Sequence, residues 1–153
     1  MKKNKIYKTV LGAVLAGAFS VSATGCGGSA VTYADGTYTG RSSVYIGDEE
    51  VDAGNGYGEV TITIKDGAIT ACTYLTYEED GTLKGEDYGM ENGEIINRDY
   101  YNKAQKANAA RDQYAAMLVE NGGLSGVDAI SGATINYNEF VEAAEAALEQ
   151  AKQ

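Results

Sequence analysis

The segment EVTITIKDG, residues 59–67, admits few folds. Val60, Ile62 and Ile64 alternate with Glu59, Thr61, Thr63 and Lys65, so one face is apolar and the other polar. A period of two belongs to a half-buried strand. Asp66-Gly67 then supplies a tight hairpin turn, since glycine accepts positive φ. The run AITACTYLTYEE reads as the returning strand. Upstream, Asp35 to Gly47 opens on an Asp-Gly turn signal and continues rich in Thr and Tyr, which reads as a first strand. After Asp80-Gly81, TLKGEDYG reads as a short further strand.

Beyond Asn92-Gly93 the pattern changes. Arg98 to Glu120 is alanine-rich, with Ala104, Ala107, Arg111, Tyr114, Ala115, Leu118 and Val119 near one face. It predicts one helix, or two broken near 107–110, stopped by Asn121-Gly122-Gly123. Phe140, Ala143, Ala144, Ala147, Leu148 and Ala151 predict a closing helix. Asn136 followed by Glu139 resembles a capping box, with Asn136 as the cap. Strands first and helices later predict an α+β fold: a single small domain with an antiparallel sheet and helices packed on one face.

The chain's first residues read as a leader. Lys2, Lys3, Lys5 and Lys8 precede an apolar run from Val10 to Val21, too short to span a bilayer as a helix. The run ends in SATGC, and small residues directly before Cys26 resemble the lipobox of bacterial lipoproteins. The expected organisation is a signal peptide over 1–25, a lipidated Cys26 with a flexible tether over 26–32, and the domain over 33–153. Cleavage would leave about 130 residues, enough for one domain. It would also remove four of the twelve basic residues and none of the 22 acidic ones. The resulting net charge of about −14 argues against nucleic acid and against adhesion to anionic headgroups. Attachment to the cell membrane, on its extracytoplasmic face, would then come from the lipid anchor.

With Cys26 lipidated, Cys72 is the one thiol left, and its apolar setting reads as a small core residue. There is no histidine. His-Asp catalysis, His-ligated haem and most transition-metal sites are thereby excluded, and no metal site is expected. Redox chemistry would need an organic cofactor.

One stretch carries chemistry: VDAISGATINYNEF, residues 127–140. A hydroxyl, Thr134, follows Ser131, Gly132 and Ala133 just ahead of a helix start. Free N–H groups and partial positive charge at such a start suit a phosphate, and the small neighbours leave room for it. The same residues also suit a plain turn into a capped helix.

Asp128-Ala129-Ile130-Ser131-Gly132-Ala133-Thr134 resembles the D-x-x-S-G-A-T motif of the FMN-binding domain family. That family includes the covalent-flavin subunits of sodium-pumping NADH:quinone reductase and Rnf complexes, and small flavinylated lipoproteins. DGTYTG, GEVTITIKDGAIT and DGTLKGEDY resemble its N-terminal sheet in order, and NEFVEAAEAALEQA its closing helix. Asn136 departs from the Ser or Thr of many members. The resemblance implies FMN joined through its phosphate to Thr134 by an FAD-dependent flavin transferase. Asp128, Ser131, Gly132 and Ala133 would form the surrounding cofactor site, with Asp128 either presenting the loop or capping a turn. Among the tyrosines, Tyr57, Tyr74, Tyr88 and Tyr137 are candidates for contact with the flavin ring.

An electron-transfer flavoprotein is the leading expectation, with no catalytic residue assigned. It would relay electrons from a membrane quinol- or NADH-linked reductase to an extracellular acceptor or partner reductase. A self-contained flavin-dependent reductase would instead need a polar clamp beside the ring, for which Arg41, Arg98 and Arg111 are the only arginines. A non-redox surface lipoprotein would carry no flavin at all.

Overall fold

A computed structural model describes residues 31–47 and 54–153. The leader, Cys26 and most of the tether lie outside the described residues. Strands β1 (Gly36–Arg41), β2 (Tyr57–Lys65) and β3 (Ala68–Tyr77) precede helices α1 (Arg98–Asn121) and α2 (Thr134–Ala151). The strands form an antiparallel sheet in the order β1-β2-β3. This is the expected α+β domain. No helix among the described residues is long and apolar enough to cross a membrane.

The alternation in β2 decides which face is covered. Val60, Ile62 and Ile64 are fully buried and meet Phe140, Ala143, Ala144 and Ala147 of α2 in one core. The opposite face keeps its threonines, with Thr39 and Thr61 hydroxyls 3.0 Å apart. Asp66 and Gly67 both take positive φ, 53° and 73°, as the tight β2–β3 turn requires. α2 lies against β1 and β2, and α1 against β3. β1 and α2 approach closely at Gly40. A Cβ there would fall 2.0 Å from the Ala143 carbonyl oxygen, so the backbones of β1 and α2 touch directly. All six residues assigned to the buried face of α2 are buried.

α1 is a single helix. Asn97 caps it, its side chain accepting from Tyr100 N–H at 3.0 Å. Gly122 ends it at φ 65°, with Gly122 and Gly123 N–H returning to the Val119 and Leu118 carbonyls. That pairing satisfies two terminal carbonyls at the cost of one left-handed residue, which glycine supplies freely.

Three sequence expectations change. The first strand ends at Arg41, beyond which Tyr45 forms an isolated bridge to Gly56. TLKGEDYG forms no strand; it contributes one bridge, Tyr77 to Leu83, and a bond from Lys84 N–H to the Thr76 carbonyl. Asn136 does not cap α2. The helix starts two residues earlier at Thr134, its cap position is Ala133, and no side chain caps it. The Asn136 amide is turned instead toward α1, donating to the Ala107 carbonyl at 3.0 Å.

Candidate functional site

The earlier helix start moves the open N–H groups. The first bond into α2 runs from Tyr137 N–H to the Ala133 carbonyl at 3.0 Å. The N–H groups ahead of it are those of Thr134, Ile135 and Asn136. Thr134 therefore stands within the charged end of the helix, on its first turn. It is exposed, and its hydroxyl makes no hydrogen bond among the described residues.

The turn leading to Thr134 is held from inside. Ala133 N–H donates to the Ile130 carbonyl at 3.0 Å. Tyr114, fully buried on α1, donates its hydroxyl to the Ala133 carbonyl at 3.1 Å and accepts Ile130 N–H at 2.9 Å. The Tyr137 hydroxyl donates to the Val127 carbonyl at 3.2 Å. Gly132 takes φ 82°, a conformation costly for any side-chain-bearing residue. A Cβ at Gly132 would come 3.3 Å from Lys106 Nζ, so a cation lies over this glycine.

Thr134 opens onto a cavity of about 400 Å³. Gly132, Ala133, Thr134, Ile135 and Asn136 form one wall; Ala104, Ala107 and Asn108 of α1 form another. Lys84, Lys103, Tyr88 and Tyr100 line the remainder, with Thr76 and Gly54. The volume falls within the ~300–1,000 Å³ usual for small-molecule sites. Lys84, Lys103 and Lys106 all lie in or beside it, although the chain as a whole carries a net charge of −10. Lys84 is buried; it donates to the Gly54 carbonyl at 2.9 Å and lies 5.1 Å from the Tyr88 ring centroid. Tyr88 and Tyr100 meet edge to face, with hydroxyls 3.2 Å apart. A second concavity shares these two rings, but it is lined by Glu78, Glu79, Asp80 and Glu91 and holds no residue of the motif. An anion therefore suits the first and is repelled by the second.

Not every expected site residue is gathered here. Gly132, Ala133 and Thr134 line the cavity; Ser131 and Asp128 are exposed and do not. Of the four tyrosines named as ring contacts, only Tyr88 reaches it. Tyr57 stacks on Tyr77 at 5.2 Å beneath the Arg41 guanidinium. Tyr74 belongs to the core, and Tyr137 clamps the turn. Arg111 is half-buried, and its guanidinium is committed to the Asn108 and Lys84 carbonyls and to Thr76 Oγ1. Cys72 is half-buried, and desolvation pushes its thiol up to about 12, which leaves it unreactive.

Tyr100, Thr76 and the lysines went unnamed in the sequence. Lys103 and Lys106 carried a signal: three residues apart, they share one helix face. Glu139, taken for a capping partner, is instead buried at 4% exposure beside Tyr74.

The sequence pattern of the FMN-binding domain family matches residues 54–149. The crystal structure of the CPE2226 protein from Clostridium perfringens is similar in fold, with a TM-score of 0.54 and 24% identity. The similarity covers 78% of this chain and 88% of that one. No curated protein matches the sequence.

Proposed function

The chain belongs to the FMN-binding domain family, and on that premise we propose that it carries FMN through a phosphoester to Thr134 and passes electrons on. The observation that carries this reading is the position of Thr134. Its unengaged hydroxyl stands on the first turn of α2, at the mouth of a cavity of small-molecule size. The residues present fit a flavin phosphate. The N–H groups of Thr134, Ile135 and Asn136, with Lys84, Lys103 and Lys106 nearby, favour its negative charge. Gly132 and Ala133 leave space for a transferase to reach the hydroxyl oxygen. Ala104 and Ala107 keep the α1 wall low, and Tyr88 and Tyr100 offer aromatic surface to a planar ring. Bound there, FMN supplies reversible uptake of one or two electrons.

The chain's own contribution is to hold the group and to tune its surroundings. Phosphoester attachment keeps the cofactor from diffusing away outside a cell, which suits an extracytoplasmic lipoprotein anchored through Cys26. The electron relay is favoured over a self-contained reductase by the state of Arg111. Its Nε and Nη1 are bonded to the cavity-lining residues Asn108, Lys84 and Thr76, which hold the guanidinium behind the wall rather than in the cavity. A substrate in the cavity would have to draw Arg111 away from these bonds. The expected partners are an FAD-dependent flavin transferase and a membrane quinol- or NADH-linked reductase.

Peptide mass spectrometry after co-expression with such a transferase tests the attachment. A phosphoester-linked FMN on the Thr134 peptide is expected, and Thr134→Val should leave a folded, colourless protein. An adduct on Ser131, or none with an active transferase, would overturn the assignment.

A further inference from the structure

Glu139 has no place in the attachment chemistry, yet it is among the most confined polar groups described. It lies five residues past Thr134, where α2 crosses Gly58 of β2. The residue is 4% exposed, and its Oε1 has no hydrogen-bond partner among the described residues. Its Oε2 receives only a long bond, 3.4 Å, from the Tyr74 hydroxyl. That hydroxyl is already committed to the Asn136 carbonyl at 2.7 Å. Buried carboxylates are normally satisfied at both oxygens, so a half-satisfied one points to a role beyond packing.

The groups facing it come from every neighbouring element. Tyr74 approaches from β3 and Glu142 from the next turn of α2. Lys84 and Tyr88, both in the wall of the Thr134 cavity, interact with it electrostatically. Arg111 of α1 acts on the same Tyr74 hydroxyl. Burial pushes the Glu139 carboxyl up to about 7, with Lys84 and the Tyr74 bond opposing the rise and Glu142 adding to it. The group is thus poised between charged and neutral at ordinary pH.

We propose that Glu139 stores a proton for the redox centre of the cavity, binding one proton for each electron pair that enters and releasing it when the pair leaves. This rests on the reading that FMN occupies the cavity. The balance closes for a quinol-class donor, which yields two electrons and two protons on becoming quinone. The electron pair and one proton go to the flavin ring, which is left with one negative charge. The second proton goes to the Glu139 carboxylate, which becomes neutral. The net charge of this poorly solvated region is then the same before and after transfer. Without the stored proton, two negative charges would share it, and like charges raise each other's proton affinity. Reoxidation by an acceptor reverses both transfers.

Electrochemical reduction of the flavin-loaded protein, through a mediator at pH 8 in weak buffer, counts the protons. Wild type should take up about 2 per electron pair and Glu139→Gln about 1, as the linkage of proton binding to charge requires. Infrared difference spectra of the same samples should gain a protonated-carboxyl band on reduction, absent from Glu139→Gln and kept, displaced, in Glu139→Asp. The wild-type spectrum alone is informative if a variant folds poorly. Equal proton uptake in wild type and Glu139→Gln, with no carboxyl band, would overturn the proposal while leaving the flavin reading intact. A protein with no flavin absorbance after transferase treatment would overturn both.

Discussion

The Tyr114 hydroxyl donates to the Ala133 carbonyl at 3.1 Å, so a residue of α1 fixes the turn from which α2 starts. The same oxygen accepts Ile130 N–H, and Tyr114 is wholly buried. Tyr114→Phe keeps the ring in the core and removes both bonds. Leaving the Ile130 N–H without its partner should cost about 1–3 kcal/mol, read from urea denaturation. Flavin loading, read as the visible-to-ultraviolet absorbance ratio, should fall further than stability does, because the loosened turn carries Thr134.

The lysines make a separate prediction. In a Thr134→Val background, free FMN can bind only non-covalently. Changing Lys103 and Lys106 to Gln should weaken that binding by about 10-fold, or about 1.4 kcal/mol, and flatten its salt dependence. Riboflavin, which lacks the phosphate, should bind wild-type and variant lysines alike. Isothermal titration separates the two ligands; an equal loss for both would show that the lysines shape the cavity rather than hold the phosphate.

At Gly40 the argument is steric. A methyl group there would meet the Ala143 carbonyl oxygen at 2.0 Å and the Ala147 nitrogen at 2.4 Å, both backbone atoms of a rigid helix. β1 and α2 would have to separate. Gly40→Ala should destabilise the fold by about 1–3 kcal/mol, the usual range for overpacking, with thermal denaturation as the measurement. Gly67→Ala offers a control, since no atom lies within 4 Å of its Cβ position and only its φ of 73° opposes the change.

Glu139 should make stability depend on pH. Its carboxyl is raised from 4.5 to about 7, so the folded state holds the proton more tightly than the unfolded chain. Below 4.5 both states are protonated and the full stability is present. Between 4.5 and 7 the unfolded chain ionises freely while the folded one resists, and stability falls. Above 7 the loss is complete, at about 3 kcal/mol. Glu139→Gln cannot ionise, so it should match wild type near pH 4.5 and exceed it at pH 8. Denaturant midpoints across this range measure the difference.

Much of this was legible in the residues. Val60, Ile62 and Ile64 gave the buried face of the sheet because a period of two leaves no alternative. Phe140 through Ala151 gave the buried face of α2 for the same reason at a period of 3.6. The start of α2 was misjudged because Asn136 is a good cap by type, but its amide found a partner on α1 instead. Glu139 was misread by the same pairing, although its position four residues before Ala143 continues the buried stripe. The cavity itself was beyond reach. Its lysines and tyrosines come from the segment after β3 and from α1, and only the folded chain brings them to the motif.

The two ends of α2 have different neighbours. Thr134 begins it, while at its far end the Ala151 carbonyl accepts Ala34 N–H and Gln153 N–H donates to the Thr32 carbonyl. The chain thus enters the domain at the end of the helix opposite the cavity. Eighteen residues of helix span about 27 Å. The proposed anchor at Cys26 would therefore hold the domain by its foot, with α2 as a strut. With the proposed anchor in place, the cavity would be carried outward by nearly the thickness of a bilayer's hydrocarbon layer, toward soluble acceptors. A membrane-embedded donor would then have to extend its own surface outward to meet it.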